Sequence, residues 1–198
     1  PEHLAPNQQQ LQTVNKLGST THLSVIDDQG NAASVTTSNG EGSAYVVPGT
    51  GIMINNKLGE EDLNPQGFHQ WPPDQRISSM MAPTMVLQDN RPKVVLGSGG
   101  SNRIRTAILQ VISNLIDFQM PLTAAVEAPR VHWENGTLHV EANQPIPDST
   151  VSDELVYWSD RNMFFGGVHA VKASRQATSE KESIGEGKGD SRRSGAVC

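Results

Sequence analysis

Lys93-Val94-Val95-Leu96-Gly97-Ser98-Gly99-Gly100-Ser101, followed by Ile104, Ala107, Ile108, Val111, Ile112, Leu115 and Ile116, is the stretch from which the architecture is read. The apolar run predicts a strand, the glycines a tight turn, and the three- and four-residue spacing an amphipathic helix. A glycine turn ahead of a helix presents backbone N–H groups that no side chain obstructs. Such a turn can hold an anion or the oxyanion of an acyl-transfer intermediate, because the helix N-terminus adds partial positive charge. It is not a phosphate loop of the Gly-Lys-Ser/Thr kind, since no lysine follows the glycines. On local grounds alone it is also simply a strand-to-helix turn.

Outward from this point the pattern is hairpins and helices. Ala82–Leu87 and Lys93–Leu96 flank Gln88-Asp89-Asn90-Arg91-Pro92, a hairpin. Upstream, His22–Asp27 and Ala32–Thr37 flank Asp28-Gln29-Gly30-Asn31, another. Downstream, Val131-His132-Trp133 and Thr137–Glu141 flank Asn135-Gly136, a third. A short helix is expected over Thr123–Glu127, stopping before Pro129. A second is expected over Thr150–Arg161, entered through Asp148 and Ser149, and a last strand over Val168–Ala173. Pro1–Gly18 reads as a polar tail, Asn39–Gly51 as a glycine-rich loop, Gly51–Lys57 as a short strand, and Glu60–Asp74 as a surface loop. From Ser174 onward the charged, Gly/Ser-rich chain is expected to be mobile unless a partner holds it. The fold class is α+β, helices packed on antiparallel sheet.

The 198 residues include four Phe, three Trp and two Tyr, so the core must rest on Ile, Val, Leu and Ala. The net charge of −6, with no dense Lys/Arg cluster, argues against nucleic acid as a partner. No run approaches the roughly 18 apolar residues of a membrane-spanning helix, and Pro1–Leu17 lacks the apolar stretch of a signal peptide. Cys198, the single cysteine, excludes an internal disulfide and a cysteine-based zinc site. The histidines are scattered, and no metal site or cofactor is expected. The start without Met and the end on Cys198 suggest a fragment.

Thr20-Thr21-His22 opens the first strand, and its β-branched residues suffice to explain that. A threonine with a free α-amine is also a nucleophile, its amine serving as base for the adjacent hydroxyl. That requires cleavage before Thr20. Ser78-Ser79, Asn55-Asn56 and Glu60-Glu61-Asp62 read locally as loop, turn and solvated acidic run; the acidic run can alternatively receive a substrate ammonium.

In this order, Ser19–Asp27, Asp28-Gln29-Gly30-Asn31, Gly51–Asn56, Ser78-Ser79-Met80 with Pro83-Thr84, Gly97–Ser101 and Gly189-Asp190-Ser191-Arg192-Arg193 resemble the small C-terminal subunit of γ-glutamyltranspeptidases, members of the N-terminal-nucleophile hydrolase superfamily. The resemblance runs from Ser19 to the C-terminus. It implies the small-subunit part of a four-layer αββα sandwich, with residues 1–19 the end of the large subunit and 20–198 the catalytic small subunit. It implies self-cleavage before Thr20, attack of Thr20 on the γ-carbonyl of glutathione or another γ-glutamyl compound, and transfer of the group to water, an amino acid or a peptide. Gly99 and Gly100 would stabilise the oxyanion, and Ser78 and Ser79 would hold the α-carboxylate. One of Glu60, Glu61 and Asp62 would receive the α-ammonium. Ser38, in place of the usual threonine, would touch Thr20, and Asn39 and Glu41 would make further polar contacts. The implied partner is the large N-terminal subunit, and the implied location periplasmic or extracellular. Lys57 after Asn-Asn, Ser191 in place of a proline, and a glycine turn one residue short depart from the family pattern. Two alternatives stand beside this reading: an amidase of the cephalosporin-acylase kind on the same scaffold, and an inactive unprocessed subunit.

Overall fold

The structure, a computed structural model, describes residues 20–146, 154–173 and 185–198. Within these the chain divides into two units, Thr20–Thr37 with Ile77–Cys198, and Ser38–Arg76.

Turn chemistry sets the reversals. β1 (Thr20–Ile26) and β2 (Ala32–Ser38) are joined by a turn in which the Asp27 carboxylate accepts hydrogen bonds from the Gln29 and Asn31 amides. β3 (Thr84–Gln88) and β4 (Arg91–Gly99) meet through Asp89 and Asn90, both at positive φ (52° and 60°). β5 (Val131–Glu134) and β6 (Thr137–Val140) meet through Asn135 and Gly136 at 51° and 85°. Two left-handed residues in a two-residue loop twist the backbone in the sense the strands need, and Asn, Asp and Gly adopt that conformation at least cost. All three expected hairpins are present.

Among the described residues three sheets result: β1-β2; β3-β4-β8-β9, where β8 is Gly167–Ala173 and β9 Gly185–Lys188; and β5-β6-β7, where β7 is Glu154–Tyr157. The four-stranded sheet is antiparallel throughout, while β7 pairs parallel with β6. The helices are α1 (Arg103–Ile116) and α2 (Leu122–Glu127). The face of α1 carrying Ile104, Ala107, Ile108 and Val111 is buried, as its spacing predicts.

Strand alternation then builds the layers. Val94 and Leu96 of β4 and Val168 and Ala170 of β8 join α1, Leu122 and Val126 in the apolar core. The intervening Gly97 and Gly99 face the other way, toward β1. There β1 lies with Cα atoms within 8 Å of β4 and β8, closer than the roughly 10 Å of ordinary stacked sheets. The order in this unit is helix, sheet, sheet. A second helical layer is not present among the described residues, and the outer face of the β1-β2 hairpin exposes Leu23, Val25 and Val35.

Three expectations are corrected. Of the helix expected over Thr150–Arg161, residues 150–153 lie outside the described residues, and the rest holds strand β7. Pairing decides the matter: Glu154 N–H donates to the Gly136 carbonyl and Trp158 N–H to that of Val140, and the β-branched and aromatic residues suit a ladder. The C-terminal segment expected to be mobile is ordered over 185–198, forming β9 and a 3₁₀ turn at Ser191–Arg193, with Asp190 and Arg192 buried; residues 174–184 lie outside the described residues. The strand expected over Gly51–Lys57 is reduced to one bridge, Val46 to Met53. The tail before Thr20 also lies outside the described residues.

In the unit Ser38–Arg76, side-chain amides replace regular ladders. Asn56 Oδ1 accepts from the Glu41 and Gly42 amides, Asn64 Nδ2 donates to the Leu58 and Glu60 carbonyls, and Trp71 Nε1–H donates to the Leu63 carbonyl.

Candidate active site

Thr20 and His22 share the inward face of β1, two residues apart, and β4 sets Gly99 and Gly97 beneath them at the same interval. A Cβ on Gly99 would lie 2.6 Å from the Thr20 carbonyl oxygen, and one on Gly97 would enter the His22 ring. Glycine is therefore required at both positions for β1 to approach. Ser98 points the other way: its hydroxyl donates to the Gly99 carbonyl (2.8 Å) and accepts from the Gly167 amide (3.1 Å), supporting the turn from within.

Gly100, at φ 137°, lies so close to Gly166 that a Cβ would come 2.8 Å from the Gly166 Cα. The chain then enters α1, with Arg103 N–H bonded to the Gly100 carbonyl and Ile104 N–H to that of Ser101. The buried Gly99-Gly100 pair thus stands between Thr20 and the positive end of a 14-residue helix. Arg193 adds a cation. Its stem crosses Gly167, and Nη1 would lie 3.3 Å from a Cβ on Gly99. Burial, reinforced by the nearby Arg103 cation, lowers its pKa from the usual arginine range.

Arg193 follows directly on a buried quartet, its N–H bonded to the Asp190 carbonyl. Arg130 Nη2 donates to Asp190 Oδ2 (2.7 Å), and Arg192 donates to Glu141 (Nη2, 2.6 Å) and to Asp190 (Nη1, 3.2 Å). Asp190 also accepts from the Val168 and Arg192 amides, and Glu141 from the Arg130 and Asn162 amides. For Arg192, burial lowers the pKa, but bonding to Glu141 and the Asp190 charge more than offset this, and the net shift is upward. On the surface, Glu127 accepts from Lys188, Ser191 and Arg161. Burial alone would raise the Glu127 carboxyl; the bonds from Lys188 and Ser191 bring it down to about 2.

Of the residues expected from sequence, the structure brings Thr20, Gly99 and Gly100 together. Ser78 and Ser79 are exposed in the same unit, on the segment leading to β3, where Ser79 Oγ accepts from the Met81 amide. Ser38, Asn39, Glu41, Glu60, Glu61 and Asp62 belong to the other unit. There Ser38 Oγ accepts from the Gly40 amide, Glu60 pairs with Lys57 at 3.4 Å, and Glu61 and Asp62 sit exposed in a 3₁₀ turn. Among the described residues, no group of three or more His, Cys, Asp or Glu can hold a metal ion, and no helix is long and apolar enough to cross a membrane. His132 and His139 do face each other across the β5-β6 hairpin, but each has a structural partner: His132 bonds Thr106, and His139 accepts from Trp158.

Sequence reasoning assigned nothing to His22, Ser24, Thr36 or Arg193. A signal for the first three exists in the alternation of β1 and β2, where Thr20, His22, Ser24, Ser34 and Thr36 fall on the inward phase and Leu23, Val25 and Val35 on the outward one.

The family described as Gamma-glutamyltranspeptidase matches residues 1–198, the whole of the chain. The chain belongs to the γ-glutamyltranspeptidase family. Among curated γ-glutamyltranspeptidase relatives, the glutathione hydrolase proenzyme of Pseudomonas aeruginosa is 32% identical over 177 residues, covering 80% of this chain and 32% of its own length. The Acylase ACY 1 proenzyme of Pseudomonas sp. (strain SE83) is 42% identical over 132 residues, covering 66% and 23%. The chain therefore spans a third or less of these relatives. The structure of γ-glutamyltranspeptidase from Pseudomonas nitroreducens complexed with L-DON matches at a TM-score of 0.72 and 28% identity, covering 90% of this chain and 98% of that one.

Proposed function

We propose that this chain contains the catalytic small subunit of a γ-glutamyl hydrolase and transferase whose nucleophile is Thr20. The observation carrying this reading is the position of Thr20 over the Gly99-Gly100 turn at the head of α1. As long as Ser19 is attached, the Thr20 nitrogen is an amide and cannot act as a base. Cleavage before Thr20 frees it as an amine, which takes the proton from Oγ1 as that oxygen attacks the γ-carbonyl. Gly99 and Gly100 N–H groups stabilise the oxyanion. The leaving amine takes a proton, and water or an acceptor amine then releases the γ-glutamyl group from the threonine ester. Ser78 and Ser79 hold the α-carboxylate, and an acidic side chain among Glu60, Glu61 and Asp62 receives the α-ammonium. Ser38, Asn39 and Glu41 make the remaining polar contacts.

The partner in this reading is the large subunit of the same precursor, ending at Ser19. It supplies the fourth layer of the sandwich, and the uncovered apolar positions Leu23, Val25 and Val35 support that assignment. The location is periplasmic or extracellular. The test is the mass and N-terminal sequence of the product after expression of the full reading frame. A small chain beginning at Thr20 is expected, with Thr20→Ala abolishing both splitting and turnover; a mature chain beginning elsewhere refutes the reading.

A second reading is favoured by the 42% identity to an acylase proenzyme. An amidase would use Thr20 identically on an acyl group without the α-ammonium. Activity on glutaryl amides but not on γ-glutamyl-p-nitroanilide would establish it.

A further inference from the structure

We infer that His22 is the positioning residue of the nucleophile: bonded through both ring nitrogens, it fixes the register of β1 on β4 and so the place of Thr20 over Gly99. This rests on the reading of Thr20 as nucleophile.

Both ring nitrogens are engaged: His22 Nε2 lies 2.8 Å from Ser24 Oγ and Nδ1 2.7 Å from Thr36 Oγ1. Ser24 Oγ also reaches the His169 carbonyl at 3.3 Å. The ring is 7% exposed and fills the space a side chain on Gly97 would occupy. Through this one imidazole, β1 (Ser24), β2 (Thr36), β4 (Gly97) and β8 (the His169 carbonyl) are tied together.

The arrangement matters because the inward face of the hairpin is largely polar. Sheets usually hold register by interdigitating apolar side chains, but here the inward positions of the hairpin include Thr20, Ser24, Ser34 and Thr36. Ser34 Oγ donates to the Leu96 carbonyl at 3.1 Å, a second polar pin of the same kind. Directional hydrogen bonds thus share the role of packing with the inward Ile26 and Ala32. His22 lies one strand repeat, roughly 7 Å, from Thr20, so movement of the ring is passed along a stiff strand to the reacting residue. The second contact, the Thr20 carbonyl against Gly99, moves with it.

The experiment uses the full-length precursor carrying His22→Leu, His22→Gln, Thr36→Val or Thr20→Ala. Self-cleavage is followed by mass, and kcat and KM are measured on γ-glutamyl-p-nitroanilide for whatever is processed. His22→Leu is expected to slow self-cleavage and lower kcat roughly 100-fold, the cost of a small misplacement of a reacting group, with KM unchanged. His22→Gln, whose amide N–H can reach Ser24, is expected to recover part of that loss. Thr36→Val deletes one bond at nearly constant shape and is expected to lower kcat in the same sense at an unchanged melting temperature. It decides the matter alone if His22→Leu does not fold. Wild-type kcat and self-cleavage in the folded variants, with Thr20→Ala inactive, overturn the positioning role and leave the nucleophile standing. Turnover and cleavage surviving in Thr20→Ala would sink both.

Discussion

Asp190 joins both arginines of the buried quartet near the site. It is fully buried, accepts hydrogen bonds from Arg130 and Arg192, and bonds two backbone amides. Removing its charge leaves two buried cations short of an anion, a change that typically costs about 3–5 kcal/mol. Asp190→Ala is therefore expected to lower the denaturant midpoint by that equivalent, whereas Ser191→Ala, altering an exposed hydroxyl 2.7 Å from Glu127, shifts it by no more than about 1 kcal/mol. Equal effects of the two would contradict the account. Protonation is the other residue-scale lever. Burial, with the neighbouring His169, lowers His22 from 6.5 to about 4, and burial likewise lowers His132, His139 and His169. Between these values the unfolded chain binds protons that the folded chain does not. Stability from these groups is thus complete above pH 6.5 and falls as the pH drops through the window, down to about 4 for His22. Glu127, lowered from 4.5 to about 2, keeps its contribution through most of that window and loses it between those two values. Melting temperatures measured from pH 7.5 to 4 are expected to decline, with a shallower decline in His22→Gln; a flat or rising profile contradicts the assignment.

At the scale of elements, local pattern and outcome agree wherever a segment carries its own instructions. The Asp89-Asn90 and Asn135-Gly136 turns, and the apolar stripe of α1, are legible because the conformations they need are set by those residues themselves. β7 is not legible in this way. Its four residues are exposed or half-buried, and only the edge of β6 makes them a strand. The C-terminal segment misleads for the opposite reason: its charges resemble a solvated tail, yet their partners lie some 50 to 60 residues earlier, at Arg130 and Glu141. Backbone packing makes this segment sensitive to small changes. A Cβ on Gly189 would collide with the backbone of Gly195 and Ala196, which cannot swing aside as a side chain can. Gly189→Ala is expected to cost at least about 1–3 kcal/mol, read as a lowered thermal midpoint. At Gly97 the obstacle is the His22 ring, so Gly97→Ala is expected to slow self-cleavage through displacement of that ring.

For the whole molecule, the unbalanced layers are the main fact. The helix-facing side of the four-stranded sheet is covered, while the β1-β2 hairpin turns Leu23, Val25 and Val35 outward at 60%, 43% and 49% exposure. Exposed apolar surface of this kind promotes association. Residues 20–198 expressed alone are expected to self-associate in size-exclusion chromatography, and co-expression with the rest of the precursor to suppress this. Val25→Glu is expected to reduce recovery of the assembled pair. A monodisperse isolated chain would show that no covering layer is needed. The sequence by itself determined the family, the three hairpins, the glycine turn leading into α1, and Thr20 as the candidate nucleophile, because each is written in contiguous residues. Only the tertiary structure decided that Thr20 lies over Gly99, that hydrogen bonds centred on His22 join the two sheets, and that Asp190 and Arg192 of the C-terminal segment enter a buried ion-pair cluster. Those depend on hydrogen bonds and ion pairs between residues far apart in the chain, whose partners no local pattern announces.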